Sequence, residues 1–115
     1  MNDADRVRLQ HMLDACREVL SFIQGETRDS LAHDVRLVRA ISMSIGIVGE
    51  AAAHVSDETR QTAPGIPWQQ IIGMRNFLIH RYFGIDLDIL WSTATQAIPV
   101  LIEEIETLLS PDTQD

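Results

Sequence analysis

The sequence predicts an all-α fold, most simply an up-down bundle of four long helices plus short turns. Apolar residues recur in three- and four-residue steps along four stretches, the period of one buried helical face. Breakers fall between the stretches: Gly25, the run Ala63-Pro64-Gly65-Ile66-Pro67, and Gly84. No strand-like alternation, repeat or low-complexity block interrupts them. With 115 residues and 45% hydrophobic content, the chain reads as one folded domain over 1–110, followed by a polar tail at 111–115. So short a chain leaves a sizeable part of its core exposed unless it dimerises.

The first helix is expected from Asp3 to Gln24. Leu9, Met12, Leu13, Cys16, Val19, Leu20 and Ile23 form its stripe, and Gly25 suits the left-handed stop. Residues 26–33 are polar, with room for one helical turn. The second helix starts near Asp34 and carries Val38, Ile41, Ile45, Val48, Ala52 and Val55 in coiled-coil-like steps. Gly46 and Gly49 fall inside it. Each costs ~1 kcal/mol against alanine in an exposed helix interior, so another backbone is expected to approach there. Glu50 follows, either facing solvent or partnering an arginine of the third helix. Ser56 caps a short turn. Pro67 fits the first position of the third helix, on which Trp68, Ile71, Ile72, Arg75, Leu78, Ile79 and Tyr82 share a face. Gly84 ends it. Asp86 caps the last helix, with Asp88 in its first turn. Leu87, Leu90, Trp91, Ala94, Ile98, Leu101, Ile105 and Leu108 form that helix's stripe, and Pro99 should kink it.

Charge excludes some functions. A net charge of −8 opposes broad nucleic-acid coating. All nine basic residues are arginine, which suits bidentate phosphate or carboxylate contacts at a local site. No apolar run nears the ~18–20 residues of a membrane span, and the charged start MNDADRVRLQ lacks a signal segment. A cytoplasmic protein is expected. Cys16 alone makes no disulfide and no metal site, and its stripe position predicts a buried thiol. His11, His33 and His54 lack metal-ligand spacing and read as surface residues. Trp68 and Trp91 read as core. No phosphate loop, zinc signature or Ser-His-Asp set is present, and neither metal nor cofactor is expected.

Chemistry concentrates in MRNFLIHRYFGID, residues 74–86. Arg75, Asn76, His80 and Tyr82 bring a permanent cation, an amide, a group titrating near neutrality and a phenol within eight positions. At about 100° per residue, Tyr82 lies roughly 20° from Arg75 and His80 roughly 140° away. Convergence of Arg75 with His80 therefore requires the helix to end or distort near 79–81, or a symmetric partner to supply a second copy. Once converged, His80 can serve as base or acid in metal-free RNA cleavage. Arg75 can hold the phosphorane oxygens, and Asn76 can orient a phosphate oxygen or the imidazole. Structural roles compete: Arg75 paired with Glu50, His80 as a cation at a helix C-terminus, Tyr82 as a core residue with its hydroxyl at the rim. Arg81 points elsewhere on the helix and adds positive charge.

The spacing Arg75-x4-His80-x-Tyr82 resembles the signature of the HEPN superfamily and, within it, the HepT-like branch. IVGEA before the proline loop, IPWQQIIGMRN leading in and FGIDLDILW behind extend the likeness over nearly the whole chain. The resemblance implies an all-α homodimer with the motif in the cleft between protomers. It also implies a ribonuclease toxin of a type VII-like toxin–antitoxin pair. An MntA-like minimal nucleotidyltransferase antitoxin would silence it by attaching AMP to a tyrosine. Carried over, Arg75 and His80 are catalytic, Asn76 supporting, and Tyr82 the modified residue; Arg81, at the variable position, and Glu50, as a partner for an arginine, are read as further supporting residues. The other function class is a non-catalytic nucleotide-binding or regulatory dimer partnering such a nucleotidyltransferase. A third is a plain helical dimerisation module.

Overall fold

The computed structural model describes residues 1–80 and 84–110; at residue 75 and residues 77–80 it describes the helical backbone alone. Among the described residues every regular element is helical. In chain order these are α1 (Asp3–Ile23), α2 (Ser30–His33), α3 (Val35–Ala53), α4 (Asp57–Gln61), α5 (Trp68–His80), α6 (Leu87–Ser92), a π turn (Thr93–Ala97) and α7 (Ile98–Leu109). The radius of gyration, 14.3 Å, is close to the ~13 Å of a globular chain of this length, so the helices pack rather than splay. The expected tail at 111–115 lies outside the described residues.

α1 is the central element, packing on α3 and α7, and α3 in turn supports α5. Leu9, Met12, Cys16 and Val19 of α1 are fully enclosed or nearly so, against Ile41, Ile45, Val48 and Ala52 of α3 and Ile98, Leu101 and Ile105 of α7. Burying each large aliphatic side chain contributes roughly 1.5–3 kcal/mol. Burial also pushes the Cys16 thiol up to about 12, so it stays protonated and acts as a small core hydrophobe.

Side chains close the helix starts where the sequence places them. Asp34 accepts from the Leu37 N–H at 3.1 Å and Ser56 from the Thr59 N–H at 3.3 Å. Asp86 accepts from Asp88 and Ile89 at 2.9 and 3.2 Å. Each removes an otherwise unpaired amide, worth about 1 kcal/mol. α1 stops at Ile23, and Gly25 follows with φ of 78°, a conformation that glycine adopts without strain. The polar stretch before α3 holds one helical turn, α2.

Three expectations change. Within the chain nothing among the described residues comes within 4 Å of a Cβ placed on Gly46, so no neighbouring backbone explains that glycine. Gly49, by contrast, is buried. Pro67 sits just before α5 rather than inside it, its carbonyl accepting from the Ile71 N–H at 3.0 Å. The last helix meets Pro99 with a π turn. Proline has no N–H to donate, and the turn ahead of it shifts to wider bonding, with the Ile98 N–H reaching the Thr93 carbonyl. Thr93 and Thr95 hydroxyls also donate to the carbonyls of Ile89 and Trp91, both at 2.8 Å.

Candidate functional site

α5 carries the motif, and its beginning is firmly seated. Trp68 is buried, and its indole N–H donates to the Ala63 carbonyl at 3.1 Å. Ile71, Ile72 and Met74 are half-buried against the core. Position 75 follows Ile71 and Ile72 by four and three residues, on the core-facing side of the α5 backbone. Asn76 is exposed, and position 80 stands one turn beyond it on that outer side. α5 remains α-helical through His80, so the helix does not break ahead of the histidine. Within one α5 the backbone positions of Arg75 and His80 therefore stay about 140° apart around the axis. The side chains of Arg75 and His80, and all of Arg81 and Tyr82, lie outside the described residues.

Glu50 is half-exposed near the end of α3. Its carboxylate lies 3.9 Å from His54 Nδ1, whose ring nitrogen also sits 2.9 Å from the Glu50 carbonyl. His11, His33 and His54 are all exposed, as their spacing suggests. Among the described residues no three His, Cys, Asp or Glu side chains gather as metal ligands, and no helix is long and apolar enough to cross a membrane.

Open clefts lined by described residues lie by the proline loop. One of about 730 Å³ has Met1, Gly65, Ile66 and Glu104 in its wall, and desolvation raises the Glu104 carboxyl above its ordinary value. The other, about 590 Å³, runs past Arg60, Pro64 and Trp68. Trp68 begins α5 and His80 ends it, roughly 18 Å along the axis. Both clefts lie at the Trp68 end of α5, away from His80.

Two polar anchors that the charge pattern does not reveal hold the frame around α5. Asp5 is only 3% exposed, yet its carboxylate accepts from the Ser56 N–H at 3.0 Å, Ser56 Oγ at 2.6 Å and Thr59 Oγ1 at 2.5 Å. Desolvation pushes its pKa up. The bonds from Ser56 and Thr59, with the positive N-terminus, more than reverse this, leaving it below its ordinary value. The signal was present: Asp5, Leu9 and Met12 share the stripe spacing of four and three. Arg60 caps the far end of α3, donating through Nη2 to the carbonyls of Ala52 and Ala53 at 3.0 and 3.1 Å.

Comparison with known proteins decides the family. The model of a family described as "Ribonuclease HepT-like" matches residues 12–108. This chain belongs to the HepT-like ribonuclease family. The match includes all of α5 and the whole Arg75-x4-His80-x-Tyr82 spacing. A protein of Caldanaerobacter subterraneus subsp. tengcongensis, named "Putative RNase TTE0752", is 34% identical over 107 residues, covering 93% of this chain and 96% of its own. A Thermococcus cleftensis protein named "Probable ribonuclease HepT" is 32% identical over 100 residues, covering 84% and 91%. No solved structure matches the chain at a significant level.

Proposed function

We propose that this HepT-like chain is a metal-independent endoribonuclease, the toxin of a toxin–antitoxin pair, working as a homodimer of up-down bundles. Residues 1–110 form the working domain and 111–115 a tail. The observation that carries the reading is a family match over residues 12–108 that contains Arg75, His80 and Tyr82 at the motif's spacing.

Chemistry follows from the residue types. A base removes the proton of a ribose 2′-OH, and that oxygen bonds to phosphorus. The bond from phosphorus to the 5′-oxygen then breaks, and the departing oxygen takes a proton from an acid. This leaves a 2′,3′-cyclic phosphate and a free 5′-OH. Two copies of His80 supply base and acid, and the Arg75 guanidinium holds the charge that builds on phosphorus. Proton transfer of this kind is worth typically ~10²–10⁴-fold. Asn76, exposed one turn before His80, is suited to orient a phosphate oxygen. Arg81 and Glu50 play supporting parts, Arg81 offsetting the chain's negative charge. The phase of α5 favours a dimeric site, because a straight helix through His80 keeps Arg75 and His80 on different sides of one protomer.

Regulation falls on Tyr82, to which an MntA-like nucleotidyltransferase antitoxin transfers AMP. The added phosphodiester would place negative charge and bulk where the substrate phosphate must sit. The alternative is a non-catalytic nucleotide-binding dimer.

Purified wild type is expected to cleave RNA in the presence of a chelator and to arrest growth when expressed alone. A folded His80→Ala variant should lose at least about a hundredfold of the cleavage rate. Nucleotide binding that depends on Arg75, without RNA turnover by wild type, would establish the alternative. Co-expression with the nucleotidyltransferase should add an AMP-sized mass to wild type and not to Tyr82→Phe.

A further inference from the structure

α3 carries large apolar side chains on its outward face. Met43 is 69% exposed and Ile47 43%, unusual for large apolar side chains midway along a core helix. Arg39, Gly46 and Glu50 line up with Met43 in steps of four, three and four, the spacing of a helix-pairing seam. Gly46 weakens the helix, and a Cβ there would meet nothing among the described residues. A half-buried glycine with open space above it, beside an exposed methionine, is a hole next to a knob.

The steps four, three, four read the same in both directions. Two such stripes laid antiparallel about a two-fold axis between positions 43 and 46 set residue 39 against residue 50 and residue 43 against residue 46. Arg39 then meets the partner's Glu50 twice over, and Met43 fills the space above the partner's Gly46. Parallel pairing would instead oppose like charges, which is unfavourable. Arg39 and Glu50 also interact within their own chain, so the contact across the axis would be shared with those neighbours. Two chains of net charge −8 repel at long range. Matched opposite charges at close quarters offset that repulsion locally. An RNA backbone fits the stripe less well, because Glu50, Met43 and Ile47 interrupt its positive charge.

We infer that the Arg39–Met43–Gly46–Glu50 stripe of α3 is the surface on which two copies of this chain pair antiparallel, each Arg39 facing the partner's Glu50. This rests on the homodimeric reading above and gives that dimer its contact helix and register. Because α5 packs directly on α3, the pairing also fixes how the two motif helices lie relative to each other.

Charge reversal tests both surface and register. Sedimentation velocity over a wide dilution series gives the dimer Kd, and circular dichroism at the same dilutions reports folding. Arg39→Glu and Glu50→Arg, each at an exposed position, should each raise the Kd at least about tenfold, and the double reversal should recover most of that loss. Reversals that leave the Kd unchanged would place the dimer contact elsewhere and overturn the inference, while the homodimeric reading stands. Weakening without recovery in the double variant would overturn the antiparallel register. A wild type that stays monomeric throughout would sink the stripe and the homodimer together. An Arg39→Glu variant that keeps its dimer but loses RNA binding would make this face an RNA surface instead.

Discussion

Two seams of α3 have one spacing and different fates. Ile41, Ile45, Val48 and Ala52 run in steps of four, three and four, and they are buried. Arg39, Met43, Gly46 and Glu50 run in the same steps, displaced by two residues. Two residues turn a helix by about 200°, so the second seam emerges on the far side. Periodicity makes both seams straight. Residue type decides which is enclosed by this chain: branched aliphatics and alanine pack against α1, whereas a long cation, a flexible thioether, a glycine and a carboxylate do not. The lesson is that helical spacing reports a contact line without saying whose surface meets it.

The largest effect that tests this contrast comes from the buried seam. Ile41 is fully enclosed, and Ile41→Ala should lower unfolding free energy by about 2–5 kcal/mol in urea denaturation. A loss under about 1 kcal/mol would mean that the seam is not packed as described. Next comes the polar anchor between α1 and α4. Asp5→Ala leaves three donors without their acceptor and should cost about 1–3 kcal/mol at neutral pH. Its pH dependence has a fixed sign. The folded carboxyl lies below its ordinary 3.8, so its contribution is complete above that value and fades as pH falls through the folded value. The stability gap between wild type and Asp5→Ala should therefore close on acidification below 3.8. A gap that widens there would contradict the hydrogen-bond assignment. Smallest is the outer seam: Met43→Ala should change unfolding free energy by less than about 0.5 kcal/mol at high dilution, where chains are single. The same variant should weaken self-association.

Local signals were legible from the residues. Asp34, Ser56 and Asp86 precede the helices they cap, and Gly25 follows α1, because capping is chemistry between neighbours in the chain. For Asp5 spacing signals only its place on the α1 stripe; its partners, 51 and 54 residues away, leave no mark in the local sequence. The use of Gly46 was misread for a related reason: a glycine announces open space or close approach alike, and only the surroundings distinguish them. Pro99 signalled a disturbance, and spacing alone could not show that a π turn would take it up. At the candidate site, the residues and their order were plain, and the phase separating Arg75 from His80 followed from helical geometry. What the phase could not supply was the surface that faces the motif, because contacts between distant or separate surfaces leave no spacing in a single sequence.

The turn before Pro99 works like a leap day. Leu90, Ala94 and Ile98 come every fourth residue, and two such steps overrun an α-helix by about 80°. Left alone, that drift would set Ile98 well to one side of the line that Leu90 begins. One loop of wider winding absorbs the surplus, and the calendar of the last rod agrees again with that of α1.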